Sequence, residues 1–471
     1  MRSLVRRIPL LSLYALLAVA STAAAGPLQD DLKARRARAL ERLPADALAI
    51  LWSAPERVYS TDVSYEYRQD SNLLYLTGID QEDTILVLMP GNAARREVLF
   101  VREADPRREH WNGHSLTPAE ASAQSGIEAV MTANQFEGFV AAALSNTERP
   151  VGTLSLLLEP QRSLSESLGT VRQFAATIRE RFFNVQVKDA TPVLNELRQV
   201  KTAYEQDVIR KSALISSDAH KAGMRAAAPG KFEYEVEAAI EEVYLRNGAM
   251  SWGYPSIVGS GPNATILHYQ KSSRQMQPGD VLLVDAAANY QGLTVDITRS
   301  YPVSGRFSPA QRDLYEIVYK AQEAGITAAK IGARPQDIQA ACDEVLRAGL
   351  LKLGLITEAT GTQFKIWATH GVTHWIGHDV HDVGVRGKPL AAGMTFVIEP
   401  GIYIRQAALD ALPKTPENAA FANSIRAAVA KYKDIGIRIE DSFLLTESGL
   451  ENLSRGVPRT LDDVERFLAH K

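Results

Sequence analysis

Two kinds of hydrophobic pattern divide the chain. From about Pro27 to Val187, short apolar runs alternate with polar stretches of helical spacing. ALAILWSA, NLLYLTG, TILVLMP, EVLFVRE, LSLLLEP and NVQVKDA read as strands, and segments such as Thr117–Gly126 and Ser163–Arg181 as helices between them. The alternation predicts a mixed or parallel α/β domain over residues 26–190. The basic group Arg35–Arg38 falls in a helical, exposed-looking context and reads as a solvated face. A linker at Ala190–Lys201 then leads into two strong helices, Thr202–Ala228 and Phe232–Asn247, which open a second domain over residues 191–471.

The second domain is organised around Pro278–Tyr301, PGDVLLVDAAANYQGLTVDITRSY. It reads as two strands, Val281–Ala287 and Leu293–Tyr301, joined by a tight turn at Tyr290–Gln291–Gly292. Each strand carries one acid in apolar or small surroundings, Asp285 and Asp296. With Asn289 and Gly292 as the closing pair, the two acids stand directly opposite each other on one face. A surface hairpin with solvated acids is the alternative, but the continuous apolar run Val281–Val284 is that of a buried strand. Two carboxylates opposed in a buried place need a proton or a cation between them. The stretch therefore points to a metal site.

Echoes elsewhere extend it. GDVLLVDA (Gly279–Ala286) recurs as GMTFVIEP (Gly393–Pro400), each with a carboxylate six residues after a glycine, and LTVDIT (Leu293–Thr298) recurs more loosely as IRIEDS (Ile437–Ser442). The helical stretch EVEAAIEEV (Glu235–Val243) resembles DIQAACDEV (Asp337–Val345). A duplicated unit of helices and strands follows, with two acids from each copy: Asp285 and Asp296, then Glu399 and Glu440. A pseudo-two-fold arrangement converges all four on one point.

Of nine histidines, four lie in HGVTHWIGHDVHD between His370 and His381. His370 and His374 have the spacing of a zincin helix, but the glutamate that motif needs is absent and Gly371 and Gly377 favour a loop. One imidazole added to four carboxylates makes an oxygen-rich site with room for two divalent ions, a set that suits manganese or cobalt better than a structural zinc, with zinc still open. Arg438 alternates onto the same strand face as Glu440 and can hold a site carboxylate.

Composition narrows the partners. A formal net charge of −3 leaves no electrostatic footprint for nucleic acid. The single Cys342, inside a helical pattern, excludes an intrachain disulfide framework and reads as a small buried residue. Met1–Ala25 carries Arg2, Arg6 and Arg7, an apolar run from Ile8 to about Ala20 and small residues at Ala23–Ala25. It reads as a signal peptide cleaved before Gly26, so that the mature protein is exported, to the periplasm in a Gram-negative source, with no membrane contact after cleavage. The Arg6–Arg7 pair leaves general and twin-arginine export both open.

Asp285, Asp296, His374, Glu399 and Glu440 resemble, in order and local context, the five ligands of the creatinase/aminopeptidase pita-bread metallopeptidases. SIVGSGPNATILHY, VDITRSYPVSGRFS, HGVTHWIGHDVHDVG, FVIEPGIYI and GIRIEDS are similar to the proline-specific branch, the Xaa-Pro aminopeptidases, and YRQDSNLLYLTG carries the likeness into the N-terminal domain. The resemblance implies an aminopeptidase P-type α/β N-terminal domain and an α+β pita-bread catalytic domain. It implies that Asp296 and Glu440 bridge two metals, that Asp285 completes one, and that His374 with Glu399 completes the other. Glu399 also moves a proton to the departing proline nitrogen. His268 and His381 hold substrate and stabilise the intermediate, His370 lines the proline pocket, and Tyr254 and Tyr403 are further pocket residues. REHWNGHSL (Arg108–Leu116) resembles the stretch from which family members supply a tryptophan to a neighbouring subunit, so Trp111 implies a homodimer or homotetramer; an indole packed within its own domain is the plainer reading. Two departures stand out. Gln406–Lys433 is longer than in compact members, and Ser442 stands where many carry a second aspartate. Two other functions stay open: an Xaa-Pro dipeptidase, and an exported binding protein with an inert metal site.

Overall fold

A computed structural model describes residues 26–158, 169–385 and 387–470. The signal-peptide reading of Met1–Ala25 and the start of the expected helix at Ser163 lie outside the described residues.

The N-terminal part is built on a six-stranded sheet in the order Val130–Thr132, Glu97–Val101, Ile85–Leu88, Ala47–Trp52, Thr153–Leu156, Gln186–Asp189. Ile85–Leu88 is antiparallel to both neighbours and the other pairs are parallel, so the sheet is mixed. Its apolar runs are continuous because both faces are covered. Leu48 and Ile50 face the helices Phe136–Leu144 and Thr170–Arg181, while Ala49 and Leu51 face Pro27–Arg42 and Ser71–Thr77.

Three expectations need correction here. NLLYLTG is a helix, Ser71–Thr77, not a strand. Asp70 accepts hydrogen bonds from the backbone of Asn72 and Leu73, both at 2.9 Å, and Gly78 closes the helix in the left-handed region at φ 65°. A good cap at each end decides a short apolar segment whose periodicity is ambiguous. Ala190–Lys201 is not a linker but mostly helix, Thr191–Gln199, with Leu194 and Leu197 in the core of the sheet's outer face. Arg35 and Arg36 are not a solvated face either: both are buried. Arg36 binds Glu97 at 2.8 Å and the terminal carbonyls Leu76 and Ser125 of two helices, at 2.9 and 3.0 Å. It works as a buried C-cap for both.

The catalytic part repeats itself. Helices Ala203–Ala226 and Glu233–Arg246 pack together, as do Pro309–Ala328 and Pro335–Lys352. Capping boxes at Thr202 and Ser308 start the first helix of each pair. Val281–Asp285 then pairs with Thr298–Pro302, and Thr395–Ile398 with Asp441–Thr446. The two halves join where Thr298 bridges Glu440. Cys342 lies in the core between the second pair of helices, its thiol on the Ala321 carbonyl at 3.1 Å; burial pushes it up to about 12, far from a nucleophile's range.

A buried ionic clasp ties the two parts together. Arg198, at the end of the helix Thr191–Gln199, reaches Asp382 at 2.5 Å, Asp379 at 2.8 Å and the Asn72 side chain at 2.8 Å. Lys201 binds the other oxygen of Asp382 at 2.9 Å. Burial alone would raise the pKa of Asp382, but Lys201 and Arg198 outweigh it and hold the carboxyl well below the usual range. A folded value below the unfolded one stabilises above about pH 4 and is lost on acidification. Arg198→Met leaves Asp382 with one cation and should lower the unfolding free energy by about 3–5 kcal/mol, read from the urea midpoint. The acid limb of stability should flatten in the same variant; an unchanged midpoint and limb would show the clasp to be inert.

Candidate metal centre

The hairpin that carries the first two acids closes on Tyr290 and Leu293, with Gln291 and Gly292 at φ 52° and 79° in a two-residue turn of the primed type. That is one position later on each strand than the sequence reading placed it. Asp285 consequently faces Thr298, and Asp296 lies diagonally across on the same face. The expected continuous strands are also interrupted: regular pairing stops at Asp285, resumes at Ala288, and is missing again between Thr294 and Thr298. Asp296 sits in that gap, held by Ser442, whose hydroxyl accepts from the Asp296 N–H at 2.8 Å and donates to its carbonyl at 2.7 Å. In the second half, the ladder Ile398–Asp441 places Glu399 opposite Glu440, one step beyond the strand end.

The five sequence-named ligands converge. Ligand atoms of Asp285, Asp296 and Glu440 lie within 4.8 Å of one another, and so do those of His374, Glu399 and Glu440. His374 donates from Nδ1 to the Trp375 carbonyl at 3.0 Å, which leaves the Nε2 lone pair facing inward. That nitrogen is 3.5 Å from Asp296 Oδ2, 3.6 Å from Glu399 Oε1 and 4.0 Å from Glu440 Oε1. Burial, then His381, lowers the imidazole to about 4, so it is neutral near pH 7. A third group, Asp296, His374 and His381, is equally tight, although the sequence reading kept His381 out of the ligands.

Burial drives the carboxylates up, and each raises its neighbour. Asp296 rises through burial and Asp285, Glu440 through burial and Asp296, and Glu399 through burial and Glu440. Asp285 alone is lowered, because Arg438 outweighs its burial with a hydrogen bond at 2.5 Å. Tyr254 hydroxyl lies 2.6 Å from Asp285 Oδ1 and 2.5 Å from Asp296 Oδ1. One phenol proton cannot serve both oxygens. Glu440 Oε1 is buried with no hydrogen-bond partner, while its Oε2 accepts from Thr298 at 2.7 Å. An orphan carboxylate oxygen beside an imidazole lone pair is repulsive unless a proton or a metal cation stands between them. The residues fit divalent metal.

Around this centre, His370 donates from Nδ1 to Gly371 and accepts at Nε2 from Tyr403 at 2.7 Å; Arg438 donates to the same phenol at 3.0 Å. Gly401 permits the approach, since a Cβ there would stand 2.5 Å from the Tyr403 oxygen. His268 and His381 are exposed, with ring centroids 6.5 Å apart, and His381 meets His374 edge to face at 4.4 Å. Trp111 is 82 % exposed, which excludes an indole packed within its own domain. It lies on the short helix Pro106–Asn112 and not in a loop. The sequence reading missed Thr298, Arg198, Lys201 and Asp382; the last was visible as an acid next to His381, but its partners lie more than 180 residues away.

The metallopeptidase family M24 model matches residues 207–447, and the aminopeptidase P N-terminal domain model matches residues 32–151. The chain belongs to metallopeptidase family M24. Among M24-type relatives, it is 32 % identical to the Xaa-Pro aminopeptidase of Haemophilus influenzae over 93 % of this chain and 97 % of that one. Its fold is similar to aminopeptidase PepP of Pseudomonas aeruginosa, with a TM-score of 0.82 at 31 % identity over 94 % of this chain and 98 % of that one. It is also similar to a zinc-substituted Escherichia coli aminopeptidase P in complex with product, with a TM-score of 0.80 at 30 % identity over the same shares. No helix of the described residues is long and apolar enough to cross a membrane.

As an M24 metallopeptidase, the chain should gain stability from its ion. Adding Mn²⁺ at about 100 times its dissociation constant should raise the unfolding free energy by about 2.7 kcal/mol. Glu440→Gln should keep the fold and lose most of that gain in a thermal melt. A full gain in this variant would remove Glu440 from the ligand set.

Proposed function

We propose that the chain is an exopeptidase that releases the N-terminal residue from peptides with proline at the second position, using two divalent ions. Manganese suits the oxygen-rich donor set best, with cobalt and zinc as substitutes. What carries the reading is the convergence of three buried carboxylates, the half-buried Glu399 and one neutral imidazole, in a chain whose relatives over nine-tenths of its length are named Xaa-Pro aminopeptidases. Those names favour the aminopeptidase over the dipeptidase, and a complete ligand set weighs against an inert binding protein.

Ions held by Asp285, Asp296, His374, Glu399 and Glu440 supply an acidified water and positive charge for an oxyanion. The chain's own groups supply the rest. Arg438 keeps Asp285 ionised, and Thr298 orients Glu440 by holding one of its oxygens. Glu399, raised by burial and by Glu440, is suited to carry a proton at its carboxyl to the departing proline nitrogen. His381 and His268 stand at the exposed edge, where a donor can meet the developing oxyanion. His370, Tyr403 and Tyr254 give the cleft a wall of fixed hydrogen bonds on the substrate side. Domain limits at 26–190 and 191–471, cleavage of Met1–Ala25 and export to the periplasm complete the proposal; they rest on the sequence. The substrates are proline-containing peptides, not nucleic acid.

The direct test is an Xaa-Pro-Xaa peptide beside an Xaa-Pro dipeptide, with the metal-loaded protein. Release of the first residue from the longer peptide, abolished by chelator, is expected; cleavage of the dipeptide alone would convert the reading to a dipeptidase. His381→Ala should retain bound metal and lose about 10²–10³ in kcat, as removal of an oxyanion donor does. Loss of metal in that variant would make His381 a ligand. For Trp111, we propose a homodimer or homotetramer in which the exposed indole closes the neighbour's cleft. Trp111→Ala should raise KM several-fold without shifting the melting temperature, and a fully active monomer in solution would exclude the cross-subunit role.

A further inference from the structure

Behind the metal centre, on the far side of the strand Asp441–Thr446, lies a cavity of about 700 Å³. That is the size of a small-molecule site. Five arginines line it, Arg225, Arg299, Arg455, Arg459 and Arg466, against two aspartates, Asp441 and Asp463. Three of the five are committed. Arg299 is buried and spends its guanidinium on the carbonyls of Thr298, Glu440 and Pro458 and on Asp441. Arg459 pairs with Glu323 at 2.6 Å, and Arg466 with Asp463 at 3.0 Å. Arg225 and Arg455 are exposed and form no ion pair within 4.0 Å among the described residues, although Arg455 stands near enough to Glu451 to lower that carboxyl, and Arg225 is stacked over the ring of Phe467 at 5.2 Å. One further atom is unmatched: Asp441 is fully buried, yet its Oδ2 has no hydrogen-bond partner and stands 3.6 Å from Arg459.

Excess guanidinium around a cavity this large is matched by an anion with several charges, because a planar fork binds carboxylate and phosphate oxygens in pairs. Phe467 and the methylene stems of the arginines offer an apolar wall for the rest of the ligand. We propose that this cavity is a binding site for a small multiply charged oxyanion, held chiefly by Arg225 and Arg455 and separate from the catalytic cleft. The ligand's charge is supplied by phosphate groups or by several carboxylates. The site reaches the metal centre through Asp441, next in the chain to Glu440, and through Arg299, which donates to the Glu440 carbonyl at 2.6 Å and to the Thr298 carbonyl at 2.9 Å, the two positions where the halves of the domain join.

Calorimetric titration of the metal-loaded full chain tests this, with pyrophosphate in one arm and propane-1,2,3-tricarboxylate in the other. Either anion is expected to bind, and the stronger arm identifies the charge carrier. Because both probes can also meet catalytic metal, the parent is compared with two variants. Arg225→Gln/Arg455→Gln should weaken binding about tenfold or more with an unchanged melting temperature, as loss of charge-assisted hydrogen bonds from two exposed side chains does. Glu440→Gln should leave binding in place. Binding kept in the arginine variant and lost in Glu440→Gln would assign the heat to the catalytic metal and overturn the proposal. So would the absence of binding in both arms.

Discussion

Four carboxylates packed into one buried volume are the constraint from which the rest of the structure follows. At an effective dielectric of about 20, two like charges about 5 Å apart repel by about 3 kcal/mol. Arg438 bonds Asp285 directly and lowers Glu399 and Glu440 too little to offset burial and their neighbours. Without cations, protons must occupy the other sites, and burial raises Asp296, Glu399 and Glu440 in the direction that takes them up. The protein holds this frustration by pinning four of the five from outside: Arg438 on Asp285, Ser442 on the Asp296 backbone, Thr298 on Glu440, the Trp375 carbonyl on His374. Ligands so fixed cannot relax away from each other, which is what makes them a receptor for divalent charge and not a loose acidic patch.

The acids stand on or beside ladder-paired strands, but the histidines between His370 and His381 ride on irregular backbone, residues 367 to 385. Such a segment has few ladder bonds of its own and must be held by something else. Asp379 and Asp382 anchor it to Arg198 and Lys201, at the seam with the N-terminal part. Gly377 makes this possible, because a Cβ there would stand 2.1 Å from the Asp382 carboxylate. The helix Thr191–Gln199, packed against the N-terminal sheet through Leu194 and Leu197, therefore holds the loop through charge, and that sheet contributes none of the five residues of the metal centre.

How much of this could be read in advance depended on whether the deciding interaction was local. The duplicated Gly-to-carboxylate spacing named Asp285 and Glu399, the looser echo of LTVDIT in IRIEDS named Asp296 and Glu440, and the helices at Thr202 and Ser308 carry their capping boxes in the sequence. NLLYLTG was misread because an apolar run of seven residues fits either period; the weight lies in Asp70 and Gly78, the caps just outside it. Arg35 and Arg36 looked solvated because, apart from Asp31 one turn before Arg35, their acceptors Tyr75, Leu76, Glu97 and Ser125 are 40 or more residues away. The hairpin was displaced by one position because Gln291 takes φ 52°, a conformation a glutamine seldom adopts, so that Gln291 and Gly292 form the loop together. Nothing within the turn itself announced that. The parity of the register survived, so the acids still share a face.

Ser442 shows how the same constraint selects against a further charge. An aspartate at this position, as in many relatives of the fold the sequence resembles, would place another carboxylate behind Asp296. Here the hydroxyl does what a carboxylate cannot: it accepts from the Asp296 N–H and donates to the Asp296 carbonyl. Asp296 lies in the gap between ladders, where its own strand gives it no pairing, so both backbone groups would otherwise be orphaned in the core. An ionised carboxylate satisfies only the donor and repels the carbonyl. Beside four clustered acids, a neutral hydroxyl with one proton to give holds the Asp296 backbone without adding charge, so the serine suits a site already crowded with carboxylates.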